Sequence, residues 1–102
     1  MYVSISHHYC KPGMVDTARE RMDKNSAGMT SEPGFLYRYR IERADRPMVL
    51  SAFTAWRDET AYDAYRNKRF GAGSGHDPKV TPYEKVETEA YTVHATFGNV
   101  PV

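Results

Sequence analysis

The sequence is short of several things, and each shortage excludes a class of protein. It carries one cysteine, Cys10, in 102 residues, so no internal disulfide framework is possible and a reducing compartment is implied. It has no apolar run long enough to cross a membrane, and Met1-Tyr-Val-Ser-Ile lacks the regions of a signal peptide; both absences predict a cytoplasmic chain. An excess of one charge is also missing. Fourteen Lys and Arg stand against 13 Asp and Glu, a net charge of +1, which leaves no electrostatic footprint for nucleic acid or an anionic membrane. No internal repeat or low-complexity tract appears. The length predicts a single domain over residues 1–102, burying roughly two-thirds of its unfolded surface.

What is present is aromatic. Eight tyrosines and one tryptophan favour interfaces or an aromatic-lined site. The stretch from Ser51 to Asn67 concentrates them. It begins with strand alternation through Phe53 and Ala55, then changes to helical spacing at Ala61, Ala64 and Tyr65. Asp58 stands at the N-cap position, and Glu59 places negative charge in the first turn, where the helix dipole favours it. Trp56 is the last strand residue, and Tyr62 and Tyr65 follow three apart on one helix face. Three large rings therefore converge on one strand-to-helix junction. They read either as ordinary core or as the wall of a pocket for a flat ligand.

The rest of the chain supplies the frame. Tyr2 to Tyr9 reads as a strand with Val3, Ile5, His7 and Tyr9 on one face and Tyr2, Ser4, Ser6 and His8 on the other. Lys11-Pro-Gly13 breaks it, with Pro12 suited to a helix start. An apolar stripe of Met14, Ala18, Met22 and Met29 predicts a helix ending near Ala27-Gly28. Phe35, Tyr37, Tyr39 and Ile41 alternate with Leu36, Arg38, Arg40 and Glu42, giving a strand with an apolar and a largely polar face. Arg38 and Arg40 read as edge or dimer-surface charges. After a turn at Ala44-Asp-Arg-Pro47, Met48 to Trp56 is apolar on both faces, so both must be covered. A helix over about Asp58 to Phe70 follows, then a loop containing Gly71 to Gly75 and His76-Asp-Pro78. A last strand is expected over Val86 to Phe97.

This order, β-α-β-β-α-β, is the ferredoxin-like α+β arrangement with an antiparallel sheet, its first and third strands central. Two helices cover one sheet face only. The second apolar face of the third strand needs another cover, and a second copy of the sheet supplies it, predicting a homodimer.

Lys11-Pro-Gly13, Pro33-Gly-Phe-Leu36 and Trp56-Arg-Asp-Glu-Thr-Ala-Tyr62, in that order, resemble the antibiotic biosynthesis monooxygenase family, whose members are dimeric α/β-barrel proteins. The resemblance covers about residues 2 to 97. The family includes oxygenases, haem degraders and signal-molecule processing enzymes; resemblance to its oxygenases of polyketide biosynthesis implies a monooxygenase that needs no flavin, haem or metal, because a polyphenolic substrate supplies its own electrons to dioxygen. It also implies that Trp56 and Tyr62 line or act in the pocket. The family's haem degraders use an asparagine, a tryptophan and a histidine where this chain has Ser6, Tyr65 and Ser74. His76 reaches the ligand position only through a shift of the loop. No cofactor is therefore expected.

Two function classes follow. In an oxygenase acting on a small aromatic or quinol, Tyr62 and His8 are the catalytic candidates, and Trp56, Tyr65, Ser6, Met22 and His76 contact the substrate. A histidine suits the base, since a phenol must lose a proton before it reduces dioxygen. In a non-catalytic binding dimer, the same residues hold a small aromatic ligand or merely pack. A cavity of roughly 300 Å³ with polar groups inside separates the two. The remaining signals carry less. His7 and His8 are adjacent in a strand and cannot chelate one metal. Gly71-Ala-Gly-Ser-Gly75 follows a helix and lacks the lysine of a phosphate-binding loop. Cys10 reads as a buried free thiol.

Overall fold

A computed structural model describes residues 1–70 and 81–100. The elements are β1 (Tyr2–Cys10), α1 (Val15–Met29), β2 (Phe35–Glu42), β3 (Val49–Trp56), α2 (Glu59–Phe70) and β4 (Tyr83–Thr92). They form one antiparallel sheet of order β2-β3-β1-β4. The ferredoxin-like α+β arrangement is thus the fold, with β1 and β3 in the centre. Registers such as Tyr2 opposite Trp56, Ser6 opposite Ala52 and His8 opposite Leu50 assign each residue to a face. The face carrying Cys10, Leu50, Ala52 and Trp56 lies under the helices.

Two buried clusters hold the helices down. Cys10, Leu50 and Ala52 pack against Ala18 and Met22 of α1. Trp56 packs with Met29, Ala61 and Tyr62, flanked by Tyr2, Phe35 and Tyr65. Cys10 is a free, buried thiol, and burial pushes its pKa up. The turns between elements are fixed by two glycines in the left-handed region, Gly13 at φ 74° and Gly34 at φ 81°. At Gly34 space is also required, because a Cβ there would lie 2.5 Å from the Cβ of Ala61. The Gly34 carbonyl accepts a hydrogen bond from the Arg57 N–H at 2.8 Å, which ties the start of β2 to the start of α2. Asp58 caps α2 through its carboxylate, which accepts the Ala61 N–H at 2.8 Å.

Three expectations are corrected. Helix α1 starts at Val15, not at Pro12, because Gly13 has a positive φ that no helical residue adopts. Strand β4 runs from Tyr83 to Thr92 rather than from Val86 to Phe97. Its end is set by its partner: Thr92 lies opposite Tyr2, where β1 begins, and the chain beyond keeps one ladder bond, Val93 N–H to the Met1 carbonyl at 3.0 Å. Phe97 is 90% exposed.

The third correction concerns β2, where the polar face lies under α1 rather than on the outside. Arg40 meets Asp23 at 2.8 Å, and Arg19 meets Glu42 at 3.0 Å; Arg40 also pairs with Glu42. The polar side of α1 overhangs the sheet edge and supplies these partners. The apolar residues Tyr37, Tyr39 and Ile41 lie on the other face, where no element of the chain covers them. There Tyr37 and Tyr39 each stack with Phe53, ring centroids 6.3 Å apart. Tyr39, Ile41 and Tyr91 stay more than 40% exposed.

Candidate active site between the sheet and the helices

The strand-to-helix junction is built as its sequence predicts. Trp56 is 1% exposed and Tyr62 7%. The Trp56 ring lies 5.2 Å from Tyr65, 5.7 Å edge-on to Phe35 and 6.5 Å edge-on to Tyr62. The two tyrosines flank the indole and lead in different directions. Tyr62 turns toward Tyr2, ring centroids 5.2 Å apart, and its hydroxyl accepts a hydrogen bond from Arg66 Nη1 at 3.3 Å. Tyr65 turns toward α1. There it lines a groove of about 360 Å³ between the helices with Lys24, Asn25, Gly28, Met29, Glu32, Lys68 and Arg69. One wall is fixed by an ion pair, Lys68 to Glu32 at 2.7 Å.

His8 lies further along the covered face. Its ring is 4.7 Å from that of Tyr83, and its Nδ1 is buried without a hydrogen-bond partner. Desolvation, with a smaller push from the Arg38 charge, lowers the His8 pKa to about 4. The imidazole is therefore neutral at neutral pH, and a weaker base than a free histidine. Tyr83 feels its own burial, which raises its pKa. Ser6 is on the same face, its hydroxyl 3.3 Å from that of Thr88.

Arg38 gave no signal as a site residue in the sequence, yet it sits among these groups. Nη1 donates to Met29 Sδ at 3.1 Å and to Thr54 Oγ1 at 3.3 Å, and Nε is buried without a partner. No carboxylate among the described residues pairs with it, and desolvation lowers its pKa. Nothing in an alternating strand says which face the helices will take, so the residue was legible only as a surface charge.

The structure thus brings together Trp56, Tyr62 and Tyr65, and separately His8 with Ser6. Tyr62 contacts the Tyr2 end of β1, six residues from His8, a span of roughly 20 Å along a strand. Met22 belongs to the other buried cluster, and Met29 takes the place beside Trp56. His76 and Ser74 lie outside the described residues. Among the described residues no group of three or more His, Cys, Asp or Glu could hold a metal ion. Among the described residues no histidine lines the groove.

The antibiotic biosynthesis monooxygenase family profile matches residues 1–69, more than half of the chain, and the chain belongs to that family. Solved structures agree on the fold. A candidate antibiotic biosynthesis monooxygenase from Deinococcus radiodurans superposes with a TM-score of 0.83 at 13% identity, covering 98% of this chain and 99% of the other. SnoaB, a cofactor-independent oxygenase from Streptomyces nogalater, gives 0.74 at 14% identity, covering 96% and 98%. MhuD, a haem degrader of Mycobacterium tuberculosis solved with two haems in its active site, gives 0.76 at 18% identity, covering 96% and 100%. No protein of curated function matches the sequence.

Proposed function

We propose that this chain is a cofactor-independent monooxygenase acting on an electron-rich aromatic such as a quinol or anthrone, and that it works as a homodimer. The observation that carries the reading is the aromatic wall of Trp56 and Tyr65 beside a groove of about 360 Å³ lined with Lys24, Asn25, Lys68 and Arg69. That is room for a two- or three-ring ligand, with polar groups to orient it. Membership of a family that includes a cofactor-independent oxygenase fold relative adds to this.

In this reading the substrate's own electrons reduce dioxygen. A ring methylene and one dioxygen become a ring carbonyl and one water, so no external reductant enters. The chain's part is to lower the cost of ionising the phenol and to hold the ring dry. Neutral His8 is the base that takes the phenolic proton. The hydroxyl of Tyr62, polarised by Arg66, hydrogen-bonds the oxygen that gains charge. Tyr65 stacks on the ring with the buried Trp56 behind it, and Ser6 offers a hydroxyl from the sheet. Roughly 20 Å of strand separates His8 from the Tyr62 end of the covered face, so an ionising oxygen meets one of these two groups and not both.

Support for the dimer is the uncovered sheet face. Tyr37, Tyr39, Ile41 and Phe53 form a continuous apolar surface with Val3 and Ile5, of the kind a second copy buries. The test is dioxygen uptake by the purified protein against a panel of quinols and anthrones, with haem titrated alongside. Uptake well above autoxidation, unchanged by chelators, is expected. Tight stoichiometric haem binding instead, with no uptake on any member of the panel, would overturn the reading.

A further inference from the structure

We propose that Arg38 is the floor of an anion subsite behind the α1–α2 groove, and that it takes the carboxylate or phenolate of a planar aromatic ligand. The proposal rests on the aromatic-substrate reading for its ring, and on separate observations for its charge. Arg40 and Glu42 follow Arg38 on the same strand face, and both have ion-pair partners on α1. Arg38 has none among the described residues. Its contacts are a thioether and a hydroxyl, and its Nε meets no acceptor. A buried cation is ordinarily paired, since desolvating a charge without a partner costs several kcal/mol. Arg38 is half-buried and its pairing is left open, and its charge is felt as far as His8 on the same sheet face.

The groove leads to this point. Met29 lines it and also accepts the Arg38 hydrogen bond. Tyr65 and Arg69, two more of its walls, are close enough to Arg38 to act on its charge. A ligand lying on Tyr65 therefore has the Arg38 guanidinium directly behind Met29, and Met is an unbranched side chain that moves aside cheaply. With Lys68 paired to Glu32 at 2.7 Å, Lys24 and Arg69 leave the mouth with an excess of positive charge, which raises the local concentration of an anion. Inside, the guanidinium fork matches a carboxylate or a phenolate oxygen.

The test compares two probes with the same ring, 3-hydroxy-2-naphthoate and 2-naphthol, by titration calorimetry. The native protein should bind the carboxylate roughly tenfold to a hundredfold more tightly than the naphthol, the scale of one charge-assisted hydrogen-bonding pair. Arg38→Met should bring the two affinities together, while Arg40→Met, which removes a paired arginine, should keep the preference. A measurement on the native protein alone guards against misfolding of the variant: the His8 ring resonances should move with the naphthoate and stay still with 2-naphthol. Equal affinities in the native protein overturn the subsite, as does a preference that survives Arg38→Met. Naphthoate binding without dioxygen uptake on any quinol or anthrone would overturn the oxygenase reading and leave the subsite standing. Uptake on neutral anthrones with no naphthoate preference would do the reverse.

Discussion

The two faces of the sheet divide the molecule's work in an unexpected way. The face under the helices carries Arg38, Arg40, Glu42, His8 and Ser6 among its apolar residues. The face that no helix covers carries Tyr37, Tyr39, Ile41, Phe53, Val3 and Ile5. A monomeric two-layer protein would reverse this, burying the tyrosines and exposing the arginines. The inversion teaches that intramolecular burial is not the only burial this sequence is written for. In the function proposed above, the polar groups inside meet a ligand and the apolar groups outside meet a second sheet.

The comparison can be broken from either side, and the largest effect is expected on the open face. Phe53→Arg puts a charge at the centre of that surface, where a dimer would have to bury it unpaired. Dimer affinity should fall by about a thousandfold or more. In sedimentation the native protein should run at about twice the 11.7 kDa chain mass and the variant near one. A native protein that stays monomeric at tens of micromolar would remove the open face's half of the account.

The next effect belongs to the covered face. The His8 pKa is lowered to about 4 by desolvation and by Arg38, against about 6.5 in an unfolded chain. The neutral imidazole is thus the form that the fold favours. Its contribution is complete above pH 6.5 and is lost as pH falls from 6.5 to about 4, because only the unfolded chain binds the proton in that window. The loss should be roughly 2–3 kcal/mol. Arg38 and Tyr83 face the ring from β2 and β4, and His7 precedes it on β1. In His8→Gln the slope of denaturation midpoint against pH between 6.5 and 4.5 should flatten; an unchanged slope would mean that the ring is already protonated or well solvated.

The smallest effect tests whether all charge under α1 is alike. Arg40 and Asp23 are partly solvated, so Arg40→Met should change stability by no more than about 1 kcal/mol, and less still in high salt. Arg38→Met should be neutral or stabilising, since it removes a desolvated charge that lacks a partner. If both variants lose stability equally, the contrast between paired and unpaired arginines is wrong.

Much of this frame was legible in the sequence. Periodicity located all six elements, and Asp58, Gly34 and the Trp56 junction fall where their local chemistry requires. The two-sided apolar β3 foretold both central placement and an uncovered face. What the sequence hid was orientation. Alternation divides β2 into Tyr37, Tyr39 and Ile41 on one side and Arg38 and Arg40 on the other, but it cannot say which side a helix will take when both arrangements bury some apolar area. The usual expectation, arginines outward, fails here because α1 supplies Asp23 and Arg19 as partners for Arg40 and Glu42 on the covered side. The end of β4 was hidden for a similar reason: Val93 to Phe97 has strand composition, and only the length of β1 stops it. Met22 and Met29 lie on one helical stripe, and only their positions along the sheet decide which of them meets Trp56.

The central claim is that the covered face does the chemistry, and its most direct measurement is initial dioxygen uptake on an anthrone or quinol that the native protein oxidises, compared in Tyr62→Phe and His8→Gln. Each variant must first match the native sedimentation mass and be assayed well below its melting temperature. The account predicts that turnover falls by roughly tenfold to a thousandfold in at least one of them, the scale for losing one hydrogen-bonding or proton-transfer group. Full turnover in both variants would contradict it, and Tyr62 and His8 would then be packing residues of the sheet–helix interior.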